Sequence, residues 1–305
     1  MIDGARTLLV AGTRSSGKTS LLSSLLLEIM PTHRIITIED TLELPVSAMR
    51  KLEYDILSMK VRSALAGEST EVAAEEGIRA SLRLGDSSLI VGEIRSSEAK
   101  ALYEAMRVGA LANVVAGTIH GGSPYAVFDR VVNDLQVPLT SFKATDLIVV
   151  ANPIKSPDGL TSWRRVLQIT EVRKHFEKDP LTEGGFVDLM KYDVRDDVLK
   201  PTKDLMNGDS EIMKEIASNV KGWAGDWDAV WDNVVLRQKI KERVVDYAEK
   251  VGKPELLEAD FTVKSNNAFH QISSEVGKEI GLPTSERVFP EWDAWLTKEA
   301  KRVGV

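Results

Sequence analysis

The sequence predicts an α/β protein on a mainly parallel sheet, followed by a β-hairpin and a helical C-terminal region. Three observations carry that expectation. Short β-branched runs alternate with longer segments of helical period through residues 1–155. A glycine-bearing turn joins the first run directly to the first helical segment. After Pro201 the alternation stops and the pattern becomes helical. The expected parts are an α/β core over 1–155, a β-hairpin extension over 156–205 and a helical region over 206–305.

In chain order, the expected core strands are residues 7–11, 35–38, 89–91, 114–119 and 147–150. These runs are apolar at nearly every position, as in strands buried on both faces of a parallel sheet. Between them, residues 19–30, 72–84 and 97–108 have helical spacing. Residues 163–173 and 186–194 alternate as strands, with Gly184-Gly185 marking a turn between them, and predict an antiparallel pair. Helices are expected over 210–220 and 232–251. Trp223, Trp227 and Trp231 recur every fourth residue, so one continuous helix would stack them on one face. Asp226, Asp228 and Asp232 are interleaved with them and would repel a phosphate backbone, so helix packing explains the stripe better than nucleic-acid stacking. Ile240, Val244, Ala248 and Val251 form a second apolar stripe.

Composition narrows the function. The chain has 305 residues and no cysteine, which excludes disulfides, thiol catalysis and Cys-ligated metal sites. A net charge of −7 argues against nucleic acid as a general partner. No run approaches the roughly 20 apolar residues that span a bilayer, and the first twenty residues lack signal-peptide order. A cytoplasmic chain is expected, with any membrane contact peripheral. His33, His175 and His270 are scattered and read as structural.

The chemistry concentrates in one turn. Gly12-Thr13-Arg14-Ser15-Ser16-Gly17-Lys18-Thr19 fits G-x-x-x-x-G-K-[ST], between a strand and a helix. Gly12 and Gly17 let the backbone curl so that N–H groups of Thr13, Ser15, Ser16, Gly17, Lys18, Thr19 and Ser20 can face phosphate oxygens, and the helix start adds a positive dipole end. Lys18 would reach the β- and γ-phosphates of ATP, and the Thr19 hydroxyl would take one Mg²⁺ position. Acidic partners are expected at the carboxyl ends of neighbouring strands. There stand Glu39, Asp40 and Glu43, and beyond residues 89–91 stands Glu93. Position 92, where many P-loop ATPases carry a Mg²⁺-linked Asp, is Gly, so Glu93 is the candidate to polarise water, directly or through the metal shell. Thr19, Glu39, Asp40 and Glu93 are the expected metal surroundings. His120 ends another strand, where it could orient the γ-phosphate or serve a structural hydrogen bond. Arg95 follows Glu93 by two residues and is a candidate catalytic cation. Arg79 and Arg83 share a predicted helical face, and Arg79 is equally placed to pair with Glu75.

Together these motifs resemble the secretion superfamily of ring ATPases, the motors of type II and type IV secretion and of pilus and archaellum assembly. The resemblance rests on the Walker A loop from Gly12 to Thr19, the acidic box Ile38-Glu39-Asp40-Thr41-Leu42-Glu43, the Walker B run Val91-Gly92-Glu93-Ile94-Arg95 and the histidine box Gly117-Thr118-Ile119-His120-Gly121. It is strong over about residues 1–155, and the stretch beginning Tyr103-Glu104-Ala105-Met106-Arg107 looks closest to archaeal members. It implies a RecA-like core, Mg-ATP hydrolysis through Glu93, a hexameric ring, and work against a membrane platform protein of a secretion or pilus system. Gly92 in place of Asp is itself a habit of that family. Two departures stand out. The four-cysteine zinc insertion of many bacterial relatives has no counterpart here. The first strand begins by about Thr7, so the N-terminal domain that supplies arginines in that family is expected on a separate polypeptide or to have been truncated. The rival classes are a nucleic-acid translocase or recombinase on the same fold, and a non-catalytic nucleotide-binding assembly module.

Overall fold

The computed structural model describes residues 2–62, 72–108 and 113–302. The chain divides into two compact units, residues 1–212 and 213–305.

The described strands of the first unit form one nine-stranded sheet in the order β3-β2-β4-β5-β1-β6-β7-β8-β9. Its parallel part comprises β1 (Thr7–Gly12), β2 (Ile35–Glu39), β3 (Ile56–Lys60), β4 (Ser88–Ile94), β5 (Val115–His120) and the first half of β6 (Leu147–Lys155). Leu9, Ile36, Leu89 and Ile148 are fully buried, as expected of strands covered on both faces. The fold is therefore a RecA-like P-loop core, and the inserted β5 fixes its key dimension. With β5 between them, β1 and β4 stand two strand spacings apart, roughly 10 Å. That is room for a phosphate chain between the loop after β1 and the end of β4.

β3 is an edge strand that the residue pattern does not announce. Its sequence Ile56-Leu57-Ser58-Met59-Lys60 has one β-branched residue, and Leu57 remains exposed. The expected antiparallel pair is part of a larger meander. β6 pairs in parallel with β1 along one edge and antiparallel with β7 (Ser162–Val172) along the other, and β7 continues to β8 (Phe186–Asp193) and β9 (Val198–Pro201). Gly184-Gly185 closes a 13-residue excursion, residues 173–185, rather than a tight turn. Within it the Glu183 carboxylate accepts the backbone N–H groups of Glu177, Lys178 and Asp179. The first unit ends on a buried charge cluster. Glu171 is fully buried, accepts the Glu211 N–H at 3.0 Å and the Ser210 hydroxyl, and lies 2.9 Å from Arg173.

Two helices border the site. α1 spans Lys18–Leu26 and α3 spans Ala74–Ser81, with the short α2 (Val46–Lys51) between them. α3 stops before Arg83, so Arg79 and Arg83 do not share a helix; Arg79 pairs with Glu75 at 2.7 Å.

In the second unit, Trp227–Val251, Ala259–Ile280 and Ser285–Arg302 form long helices around Trp292, Leu296, Leu236 and Phe269. Asp226 caps the first of these by accepting the Ala229 N–H at 3.0 Å, which starts the helix after Trp223. Only Trp227 and Trp231 stack, with ring centroids 6.3 Å apart. Ile240, Val244 and Ala248 are buried, as the apolar stripe predicts.

Candidate functional site

The loop between β1 and α1 has the backbone of a phosphate cradle. Gly17 sits at φ 90° and Ser15 at φ 60°, left-handed values that turn successive peptides in opposite senses. Space is as restrictive as conformation. A Cβ on Gly12 would lie 2.1 Å from the Ala151 carbonyl oxygen and 2.3 Å from Ser16 Oγ. Ser16 is buried, and its hydroxyl has no partner among the described residues. Lys18 is folded back onto the loop, donating from Nζ to the Thr13 carbonyl at 2.9 Å, and Ser16 N–H uses the same carbonyl at 3.3 Å. The unpartnered Ser16 hydroxyl, the tight turn and the helix start fit a polyphosphate. Ser20 lies exposed in the first turn of α1.

Partial burial pulls the Lys18 ammonium below the usual lysine range, opposed by the attraction of Glu93 and Glu43. Those two carboxylates therefore face the loop lysine. Glu43 also accepts the Thr19 hydroxyl at 2.9 Å. Glu43, at the Thr19 hydroxyl, and Glu93 are thus the carboxylates whose charge acts on Lys18.

Glu39, expected in the metal surroundings, commits one oxygen to the backbone, while its buried Oε2 has no partner among the described residues. It is 2% exposed, and its Oε1 accepts the N–H groups of Glu43 and Leu44 at 2.9 and 3.0 Å, shaping the acidic box from inside. Asp40 is held by Arg95 at 3.3 Å. Among the described residues no group of three or more His, Asp or Glu side chains is arranged to hold a metal unaided. Any Mg²⁺ would therefore depend on the nucleotide for most of its ligands.

Glu93 is engaged by the Arg95 guanidinium, so Arg95 bridges both acids at the end of β4. The hydrogen bond to Glu93 is the main reason the Arg95 proton is held still more tightly than usual. Glu98, buried at the start of α4 (Glu98–Val108), accepts the N–H groups of Arg95 and Ser96 and fixes the turn that carries this arginine. A cavity of about 250 Å³ opens beside these groups, lined by Asp40, Glu93, Arg95 and Glu98 over Ile38 and Val91.

His120 ends β5 opposite Gly12, and its Nδ1 lies 3.0 Å from the Gly12 carbonyl. A carbonyl only accepts, so Nδ1 carries the proton. Nε2 then offers a lone pair in the neutral ring, and it donates only when the ring is charged.

Two contributors escape sequence reasoning. Asn152 on β6 accepts the Thr13 N–H and hydroxyl at 2.9 and 3.1 Å and donates to the Gly122 carbonyl at 3.3 Å, tying the loop to the end of β5. Its place just beyond the apolar run 147–150 is the signal that could have found it. Arg164 on β7 donates from Nε to the Ser15 carbonyl at 2.9 Å across 149 residues. Nothing local announces that contact.

A parallel sheet whose first strand enters such a cradle, with an acid two strands away and a histidine between, defines a P-loop nucleotide-binding core. A family model described as "Type II/IV secretion system protein" matches residues 3–154. An uncharacterized protein of Methanocaldococcus jannaschii is 30% identical over 218 residues, 71% of this chain and 74% of that protein. Protein VirB11 of Agrobacterium fabrum is 34% identical over 171 residues, 56% of this chain and 47% of that protein. Among solved structures, the VirB11 ATPase of the Brucella suis type IV secretion system, in complex with sulphate, is 23% identical. It aligns with a TM-score of 0.44 over 56% of this chain and 49% of that one. The chain spans about half the length of the VirB11 relatives it matches. It belongs to the type II/IV secretion system protein family.

Proposed function

We propose that the chain is the Mg-ATP-hydrolysing motor core of a type II/IV secretion or archaeal-type pilus or archaellum assembly machine. The observation that carries this reading is Lys18 in a phosphate cradle, facing Glu43 at the Thr19 hydroxyl and Glu93 two strands away. In this reading Lys18 leaves the Thr13 carbonyl for the β- and γ-phosphates, and N–H groups of the loop hold the chain of phosphates. Glu93 orients the attacking water and accepts its hydrogen bond once Arg95 releases it. Arg95, freed, becomes a cation for the charge that develops on the phosphates. His120 holds the Gly12 carbonyl through Nδ1–H, and in the protonated ring its Nε2–H donates to the terminal phosphate. Mg²⁺ beside Thr19 would neutralise phosphate charge.

Family membership supports a hexameric ring working at the cytoplasmic face of a membrane against a platform protein, with an N-terminal domain or separate polypeptide completing the site. The test is Mg²⁺-dependent phosphate release by the purified chain, with and without such a domain, against Lys18→Ala. Release abolished by Lys18→Ala supports the reading. Release at the Lys18→Ala level under both conditions refutes it and leaves a nucleotide-binding module. Salt-dependent DNA binding would instead favour a translocase.

A further inference from the structure

The meander beyond β6 places two consecutive arginines on opposite faces of β7, where the strand pairs with the last residues of β6 in the register Asn152↔Arg165 and Pro153↔Arg164. Arg165 is fully committed. It forms a bidentate pair with Asp197, at 2.6 Å from Nε and 2.7 Å from a terminal nitrogen. Arg164 is not. Its side chain makes one hydrogen bond, from Nε to the Ser15 carbonyl, and has no carboxylate partner among the described residues. Its terminal guanidinium nitrogens have no protein acceptor among the described residues, and the side chain is solvent-exposed.

The location gives that surplus a purpose. A Cβ on Gly17 would lie 3.2 Å from Arg164 Cδ, so the arginine stem lies against the glycine of the cradle. Ser15 holds a left-handed φ of 60°, and its carbonyl accepts a hydrogen bond from Arg164 Nε. An arginine that takes this carbonyl leaves the N–H groups of the loop to the anion. Once Nε is fixed there, a planar fork of unfilled charge-assisted donors is left beside the loop. Such a fork matches phosphate oxygens bidentately.

We propose that Arg164 is a nucleotide-contacting residue, anchored through Nε to the Ser15 carbonyl and offering its terminal nitrogens to the polyphosphate held in the Gly12–Thr19 loop. The inference rests on the nucleotide-binding reading above and adds a cation supplied in cis by the meander, 149 residues from its anchor.

Calorimetric titration of the full chain with Mg-ATP, Mg-ADP and inorganic pyrophosphate tests it, with the ligand-free melting temperature of each variant measured alongside. Arg164→Ala is expected to weaken all three ligands about tenfold or more, the usual range for a hydrogen bond to a charged group. Arg164→Lys is expected to recover part of the loss because it restores the charge, and Arg165→Ala, on the opposite face, to leave affinity near wild type. Lys18→Ala separates the two levels of the argument. If the wild type binds, Lys18→Ala loses binding and Arg164→Ala keeps it, the inference falls and the nucleotide-binding reading stands. If Arg164→Ala weakens ATP but not pyrophosphate, the phosphate contact is wrong. If Arg164→Lys is no better than Arg164→Ala and both lower the ligand-free melting temperature, Arg164 only braces the loop and the inference is overturned. If no ligand binds the wild type, both the reading and the inference fall.

Discussion

Gly92 occupies the position that carries an aspartate in many P-loop ATPases, and the buried Glu39 explains why a side chain is excluded there. A Cβ on Gly92 would lie 2.9 Å from Glu39 Cγ, with Glu39 Cβ and Oε1 both at 3.5 Å. Glu39 cannot retreat cheaply, since its Oε1 accepts two backbone N–H groups of the acidic box and the residue is buried. Gly92→Ala therefore sets two effects against each other. A less flexible unfolded chain stabilises by about 0.4–1 kcal/mol. Overpacking costs about 1–3 kcal/mol, and displacing Glu39 adds the loss of charge-assisted hydrogen bonds. The cost wins, by about 1–2 kcal/mol net, or roughly 2–8 °C in melting temperature for a unit of this size. Gly92→Asp should cost more, because it sets a second carboxylate against a buried one. The discriminating assay is a double-mutant cycle by urea unfolding. Glu39→Ala removes the clashing Cγ, so Gly92→Ala should cost less in that background, with a coupling of about 1 kcal/mol or more. Additive effects, or a Gly92→Ala protein as stable as wild type, would refute the steric argument.

Three further predictions concern other parts of the chain. Burial holds the Lys18 proton more loosely in the folded protein than in the unfolded one. Between its lowered folded value and the ordinary lysine value the unfolded chain binds more protons, so this group's contribution to folding stability improves as pH rises. Nucleotide affinity should fall over the same window as the charge is lost; an affinity that is flat until the ordinary lysine value would contradict the burial. Glu171→Ala removes the buried partner of Arg173, which keeps Asp209 and Glu211, and unsatisfies the start of the segment at Ser210 and Glu211; it should cost about 1–3 kcal/mol in urea unfolding. Trp292→Ala, at the centre of the helical unit and fully buried, should lower protection of that unit's amides by about 3–5 kcal/mol in native-state hydrogen exchange.

The legibility of the sequence followed sequence separation. The first strand, the loop and the first helix are contiguous, and glycine spacing, apolar run and helical period agree over residues 7–26. Other features depend on partners far along the chain. Glu39 resembles any strand-end acid until the packing of Gly92 against it is known. Arg164 and Arg165 look identical in sequence, and only the strand's two faces give one to Asp197 and the other to Ser15. β3 lacks the β-branched run that marks its neighbours, because an edge strand needs fewer buried residues. The half of β6 beyond Val150 was hidden by Asn152-Pro153, which break the apolar run, although Asn152 braces the loop. The helix expected over 232–251 begins earlier, at Trp227, where Asp226 caps it and leaves Trp223 outside.

The central claim is that Glu93 serves the chemical step while the loop serves binding, and a single-turnover measurement on Glu93→Gln separates the two. The account predicts that this variant binds ATP with nearly wild-type affinity and cleaves it about 10²–10⁴-fold more slowly. Cleavage by Glu93→Gln at the wild-type rate would contradict the assignment.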